Sequence, residues 1–161
     1  MLIERNVSMS ATTSEYLSVY RSFTPKFQAV DLSGFNTIEF NTSGTESMDI
    51  TIIKKDVLQW ENQFRTAIEL KGTEKHFSLP YSQFVSSNGE AIDFSNVTSI
   101  LFTMISEDGT NVQKELQLNN LLFTNREVTQ TLNIDQQWVQ VLPNPMTALS
   151  TIQFYSEKKE L

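Results

Sequence analysis

The feature that most constrains this chain is a side-chain alternation of period two, renewed every few residues and interrupted by turn-forming residues. Phe35-Asn36-Thr37-Ile38-Glu39-Phe40 puts Ile38 and Phe40 on one face and Thr37 and Glu39 on the other, before Asn41-Thr42-Ser43-Gly44 closes the segment as a turn. Met48-Asp49-Ile50-Thr51-Ile52 alternates again, with Asp49 and Thr51 outward. In Phe64-Arg65-Thr66-Ala67-Ile68-Glu69-Leu70 the inward set is Phe64, Thr66, Ile68 and Leu70. His76-Phe77-Ser78-Leu79-Pro80 is a short strand that Pro80 ends or confines to an edge, because proline has no N–H for the ladder. Short strands at this spacing predict an all-β fold, a two-sheet antiparallel β-sandwich, and not a helical bundle.

Residues 97–105 form the most apolar stretch and read as a central strand covered on both faces. It runs into Glu107-Asp108-Gly109-Thr110, where Asp-Gly predicts a tight hairpin, with residues 115–119 and 121–124 as the return. Residues 81–85 and 54–61 are each compatible with a short helical turn, too short to define the fold. After Phe123 the character changes. The expected organisation is a sandwich over residues 1–127, a polar connector over 128–137, and over 138–161 the opening of a second β unit, too short to bury its own core. Its strands are expected in Trp138-Val139-Gln140-Val141-Leu142 and Ser150-Thr151-Ile152-Gln153-Phe154-Tyr155, around the turn Pro143-Asn144-Pro145, with Trp138 packed.

Composition removes several function classes. Among 161 residues, 12 Lys and Arg face 19 Asp and Glu, a net charge of −7 that argues against nucleic acid as a partner. The absence of cysteine removes thiolate catalysis, disulfides and Cys-ligated zinc. His76, the single histidine, rules out a His-rich metal site and reads as an edge-strand residue. The five glycines are scattered singly, so no phosphate cradle exists. No local motif selects a carboxylate pair for glycoside hydrolysis, and the chain is expected not to be an enzyme. No window approaches the ~20 apolar residues of a membrane span, so no membrane partner is expected. Residues 1–5 lack the basic start and apolar run of a signal peptide.

Three segments carry a resemblance. Val30-Asp31-Leu32-Ser33-Gly34-Phe35-Asn36-Thr37-Ile38-Glu39-Phe40, then Leu79-Pro80-Tyr81-Ser82-Gln83-Phe84, then Ile92-Asp93-Phe94-Ser95-Asn96-Val97-Thr98-Ser99-Ile100 resemble the galactose-binding-like jelly rolls, family 11 carbohydrate-binding modules and their complex-I-intermediate-associated relatives in particular. The likeness covers roughly residues 15–125. It implies a non-catalytic module that binds a polysaccharide or oligosaccharide. It also implies a structural calcium ion, for which no EF-hand spacing occurs and no ligands are assigned; no other cofactor is indicated. A further run, Val141-Leu142-Pro143-Asn144-Pro145-Met146 followed by Ser150-Thr151-Ile152-Gln153-Phe154, resembles the start of the C-terminal sorting domain of the Bacteroidota type IX secretion system, of which only the first part is present. This order resembles the tail of a secreted or cell-surface polysaccharide-degrading enzyme, a glycoside hydrolase or lyase whose catalytic module and leader lie upstream. A β-glucan or marine polysaccharide is the expected target, and a monomer the expected state.

Sugar recognition needs aromatic faces for the apolar side of a pyranose and planar polar groups for its hydroxyls. Gln59-Trp60-Glu61-Asn62-Gln63-Phe64-Arg65 gathers both, nominating Trp60, Asn62, Gln63 and Arg65. With Phe64 in the core, parity sends Gln63 and Arg65 outward, and the same parity nominates Glu39, Asp49, Thr51 and Thr103. Tyr20 and Arg21 add a second aromatic and guanidinium, with Tyr16 four residues earlier. Each choice has a plainer counterpart: Trp60 as a cover on the sandwich end, Arg65 as a cross-strand ion pair with Glu39 or Glu69. The rival function is a structural spacer or protein-docking sandwich between a catalytic and a sorting domain. It predicts Trp60 and Tyr20 buried or scattered; carbohydrate binding predicts an open cleft that gathers Trp60, Gln63 and Arg65.

Overall fold

Strands that are apolar at alternate positions pair edge to edge and bury those positions between two layers. The structure is a computed structural model describing residues 6–106 and 109–126, and the backbone of two further strands, Trp138–Leu142 and Thr151–Tyr155. The chain divides into two units, Met1–Arg126 and Glu127–Leu161. In the first, β1 (Val7–Thr13), β2 (Tyr16–Ser22), β3 (Thr37–Gly44), β4 (Met48–Lys54), β5 (Phe64–Ile68), β6 (Lys75–Pro80), β7 (Val97–Ile105) and β8 (Val112–Thr124) build two four-stranded sheets. Sheet 1 has the order β1-β8-β3-β6 and sheet 2 the order β2-β7-β4-β5, every neighbouring pair antiparallel. The fold is thus the expected all-β jelly-roll sandwich, with the proline-ended β6 at an edge of sheet 1.

The core lies where parity puts it. Ile38 and Phe40 of sheet 1 meet Ile50, Ile52, Ile100 and Phe102 of sheet 2, all fully buried. Phe40 and Phe102 cross the gap edge to face, 5.4 Å between ring centroids. Gly44 marks a close approach: a Cβ there would lie 2.9 Å from the Glu115 backbone oxygen. Lys114 is wholly buried and paired with Glu46, whereas the ammonium of Lys54, nearly as buried, meets Asp93 beyond the other end of β4. A charge removed from water this far needs its partner.

Local structure corrects three expectations. Residues 97–105 are central in sheet 2 and covered on both faces over residues 97–100, but from Leu101 onward on one side only, since Ile105 is half exposed and Leu101 and Thr103 are partly so. The Asp-Gly segment is no hairpin: β7 belongs to sheet 2 and β8 to sheet 1, so the link crosses between layers, although Gly109 does take φ +67°. The return is one strand, β8, carrying a bulge opposite Phe40 with Asn120 at φ 54°. The extra residue resets the alternation, so that Leu116 and Leu118 before it and Leu121 and Phe123 after it all turn toward the core. Of the short helical turns, 3₁₀ turns occur at Tyr81–Gln83 and Trp60–Asn62.

In the second unit β9 (Trp138–Leu142) pairs antiparallel with β10 (Thr151–Tyr155), Gln140 opposite Gln153. The connector, the Pro143-Asn144-Pro145 turn, Asp108 and the packing of Trp138 lie outside the described residues.

Candidate functional site

Residues paired in register across a sheet project from the same face. On sheet 2 that rule lines up Tyr20, Leu101, Thr51 and Arg65, one from each strand, on the side away from the core. A bridge from Arg65 to Val85 prolongs the row. With strands about 4.8 Å apart, it runs about 14 Å from β2 to β5. A second row holds Ser18, Thr103, Asp49 and Ala67, and beyond it Tyr16 faces Ile105. Ser18, Leu101 and Val85 are absent from the sequence-based set. The signal that would have found Ser18 is the alternation Tyr16-Leu17-Ser18-Val19-Tyr20 of β2, whose Leu17 and Val19 are buried.

Aromatic rings stand at both margins of the first row. At the β5 margin Trp60 is 52% exposed on its 3₁₀ turn. The Arg65 guanidinium lies 4.9 Å from the indole centroid and Nη2 donates to the Trp60 carbonyl at 2.7 Å. Stacking and hydrogen bond together fix the plane of both groups. At the β2 margin Tyr20 is 48% exposed, its ring 5.6 Å from that of exposed Phe27. Ser99 Oγ donates to Tyr20 Oη at 2.7 Å, which leaves the phenol proton to donate outward. Between the margins the floor is low: Thr51 is almost covered, and Ser18 and Thr103 share a hydrogen bond of 3.0 Å.

Four of the sequence-predicted residues do not join this face. Arg21 follows Tyr20 directly on β2, so it turns the opposite way, in register with core-facing Ile100. Glu39 lies in sheet 1, 4% exposed, where it accepts from Arg126 at 2.6 Å and Thr124 at 2.8 Å, with His76 3.6 Å away. The Arg65–Glu39 ion pair that stood as the plainer alternative for Arg65 therefore does not form. Gln63 is buried, its carboxamide spent on the backbone of Lys54 and Val57. Asn62 is engaged within the loops, donating to Gln59 and accepting from Ser87. Trp60, Arg65, Tyr20, Thr51 and Thr103 do share the region, with Asp49 beside them.

The carboxylates at the sandwich end do not suit calcium. Lys54 Nζ is bonded to the Asp93 side chain and backbone oxygen and lies 3.7 Å from Asp56, so an ammonium supplies the positive charge there. The hydrogen bond from Lys54 holds the Asp93 carboxyl below the usual range, helped by Ser95. Among the described residues no group of three or more His, Cys, Asp or Glu could hold a metal ion, and no helix is long and apolar enough to cross a membrane.

No protein-family model and no curated protein matches the chain in sequence. Solved structures match it in fold. The family 30 carbohydrate-binding module of the cellulosomal cellulase Cel9D-Cel44B of Clostridium thermocellum superposes with a TM-score of 0.57 at 16% identity, over 76% of this chain and 75% of that one. A family 11 module from the same organism, in complex with a β-1,3-1,4-mixed-linked tetrasaccharide, gives 0.51 at 14% identity, over 78% and 85%. An exo-β-agarase gives 0.57 at 13% identity, over 77% of this chain and 20% of the agarase.

Proposed function

We propose that the outer face of sheet 2 binds a polysaccharide reversibly, and that the chain is a non-catalytic carbohydrate-binding module. The observation that carries this is the pair of exposed aromatic margins, Trp60 with Arg65 and Tyr20 with Phe27, at the ends of one in-register row. A sugar chain laid across the strands meets rings at both ends. Its hydroxyls find the Tyr20 proton, the Arg65 fork, Asp49 and the Ser18–Thr103 pair between them. Asp49 is the one carboxylate that register puts on this face of the four strands, so a second carboxylate for hydrolysis is lacking among them. The spacer function predicts buried or scattered aromatics; in favour of binding, Trp60 and Tyr20 are both about half exposed on one face, although buried Gln63 does not join Trp60 and Arg65 in a cleft.

On this proposal the module is a monomer that tethers a secreted glycoside hydrolase or lyase to its substrate and raises its local concentration. A β-glucan or marine polysaccharide is the target, in keeping with a mixed-linked glucan fragment on one fold neighbour and agarase activity in the name of another. The Bacteroidota type IX resemblance of residues 141–154 supplies the route of secretion. Affinity electrophoresis in gels of laminarin, mixed-linked β-glucan, agar, alginate and xylan tests the proposal. Retardation in at least one is expected; free migration in all five overturns it.

A further inference from the structure

The loop that carries Trp60 is bonded more heavily than a link between two adjacent antiparallel strands requires. Buried Gln63 closes it from within: Oε1 accepts from the Lys54 N–H at 2.9 Å, while Nε2 donates to the Lys54 carbonyl at 3.3 Å and the Val57 carbonyl at 2.7 Å. Lys54, where the loop leaves β4, is anchored in turn by its ammonium on the Asp93 side chain and on the Asp93 backbone oxygen at 3.0 Å. The next residue, Lys55, donates its N–H to Asn96 at 2.9 Å, and Ser87 donates to Asn62 at 3.0 Å on the far side of the loop. Trp60 is left half exposed on a turn whose base is held from two other chain segments.

We propose that Gln63, Lys54 and Asp93 are positioning residues of the glycan face: they hold the Trp60–Arg65 wall in its binding geometry and touch no ligand. The proposal rests on the carbohydrate-binding function above. An indole on a slack loop would lose backbone and rotamer freedom each time a sugar docked, at a cost of order 1 kcal/mol for each ordered side chain. These bonds remove that freedom during folding. The same residues explain why a buried amide and a buried ammonium occur beside a surface that uses neither as a contact.

The test uses the full chain with Trp138→Phe, which makes Trp60 its sole tryptophan. Gln63→Met keeps the volume and deletes the hydrogen bonds; Asp93→Ala cuts the anchor from a separate, mostly exposed position. Trp60 anisotropy and acrylamide quenching are read without glycan. Affinity is then read for whichever polysaccharide of the panel retards the parent chain most. Both variants are expected to lower the anisotropy, raise the quenching and weaken binding, Gln63→Met about tenfold and Asp93→Ala, a site mostly in water whose backbone oxygen still holds Lys54, about threefold. Ile38→Val, a core change in sheet 1, is expected to lower stability and leave all three readouts alone. Parental anisotropy and quenching in either variant overturn the proposal, as does unchanged affinity in a chain where Trp60→Ala abolishes binding. If Gln63→Met does not fold, Asp93→Ala decides. If the parent chain binds nothing, the carbohydrate function falls and the fluorescence arm still judges the positioning role.

Discussion

The outer faces of the two sheets follow the same alternation and end as different surfaces. On sheet 1 the outward residues pair with one another: Asn119, Asn41 and His76 sit in register, His76 Nδ1 is 2.9 Å from Asn41 Oδ1, and Asn119 donates to Glu74. Of its outward carboxylates, Glu39 is sealed under Arg126 and the exposed Glu115 accepts from Gln113. On sheet 2 the outward groups also hold one another, Arg65 on Trp60, Tyr20 beside Phe27 and Ser18 on Thr103, yet both Trp60 and Tyr20 stay about half exposed and no carboxylate pairs the guanidinium among the described residues. Alternation alone therefore does not make a binding face. What distinguishes the two is the half-exposed ring surface at both margins of sheet 2, which a sugar face can cover, whereas a polar group already bonded gains little from exchanging its partner for a ligand.

The contrast predicts a double dissociation. The largest effect is expected on sheet 2, where Trp60→Ala should weaken polysaccharide binding about 30-fold, the level of a hot-spot aromatic at about 2 kcal/mol. The thermal midpoint should hardly move, because half of the indole is in water. Calorimetric titration beside thermal unfolding reads both, and a large stability loss with intact binding would reverse the assignment of the two faces. Next in size is Arg126→Ala on sheet 1. It strips Glu39 of a charge-assisted bond and leaves it Thr124; because Arg126 is 61% exposed and screened by water, the cost in chemical unfolding should be roughly 1 kcal/mol while affinity stays at the parental value.

How far the sequence could go follows from what parity encodes. It states which residues share a face of one strand, and on that basis Arg65, Thr51 and Thr103 were legible. It carries no label for the sheet, so Glu39 had the right parity and the wrong layer; only the long-range pairing of β3 with β6 and β8 decides that. Tyr20 and Arg21 show the opposite error, adjacency in sequence taken for adjacency in space on a strand that sends neighbours to opposite sides. Gln63 escaped because β5 begins at Phe64: before the ladder starts, a side chain follows local hydrogen-bond demand, here the unpaired amide and carbonyl of Lys54. The Asp-Gly segment looked like a hairpin because its signal is local, whereas the crossing from sheet 2 to sheet 1 is a property of the whole topology. Trp60 was legible as a residue type, and its partnership with Arg65 needed the turn that folds one over the other.

The smallest expected effect is a pH dependence confined to the Trp60 margin. Asp93 has its carboxyl held below the ordinary 3.8, first by the Lys54 hydrogen bond and then by Ser95. A group depressed in this sense contributes stability that is complete above its unfolded value and is lost as pH falls through its folded value. Between neutral pH and 3.8 the anchor should therefore be constant, and only below that point should protonation release Lys54 and loosen the loop. Because the Asp93 side chain is 73% exposed, water screens the pair and the change should be modest. Trp60 anisotropy in the Trp138→Phe chain, followed downward past pH 3.8, should run flat and then fall, while Asp93→Ala starts lower and shows no such step. A fall that begins well above 3.8 would assign the margin's order to a different titrating group and separate Asp93 from the loop it anchors.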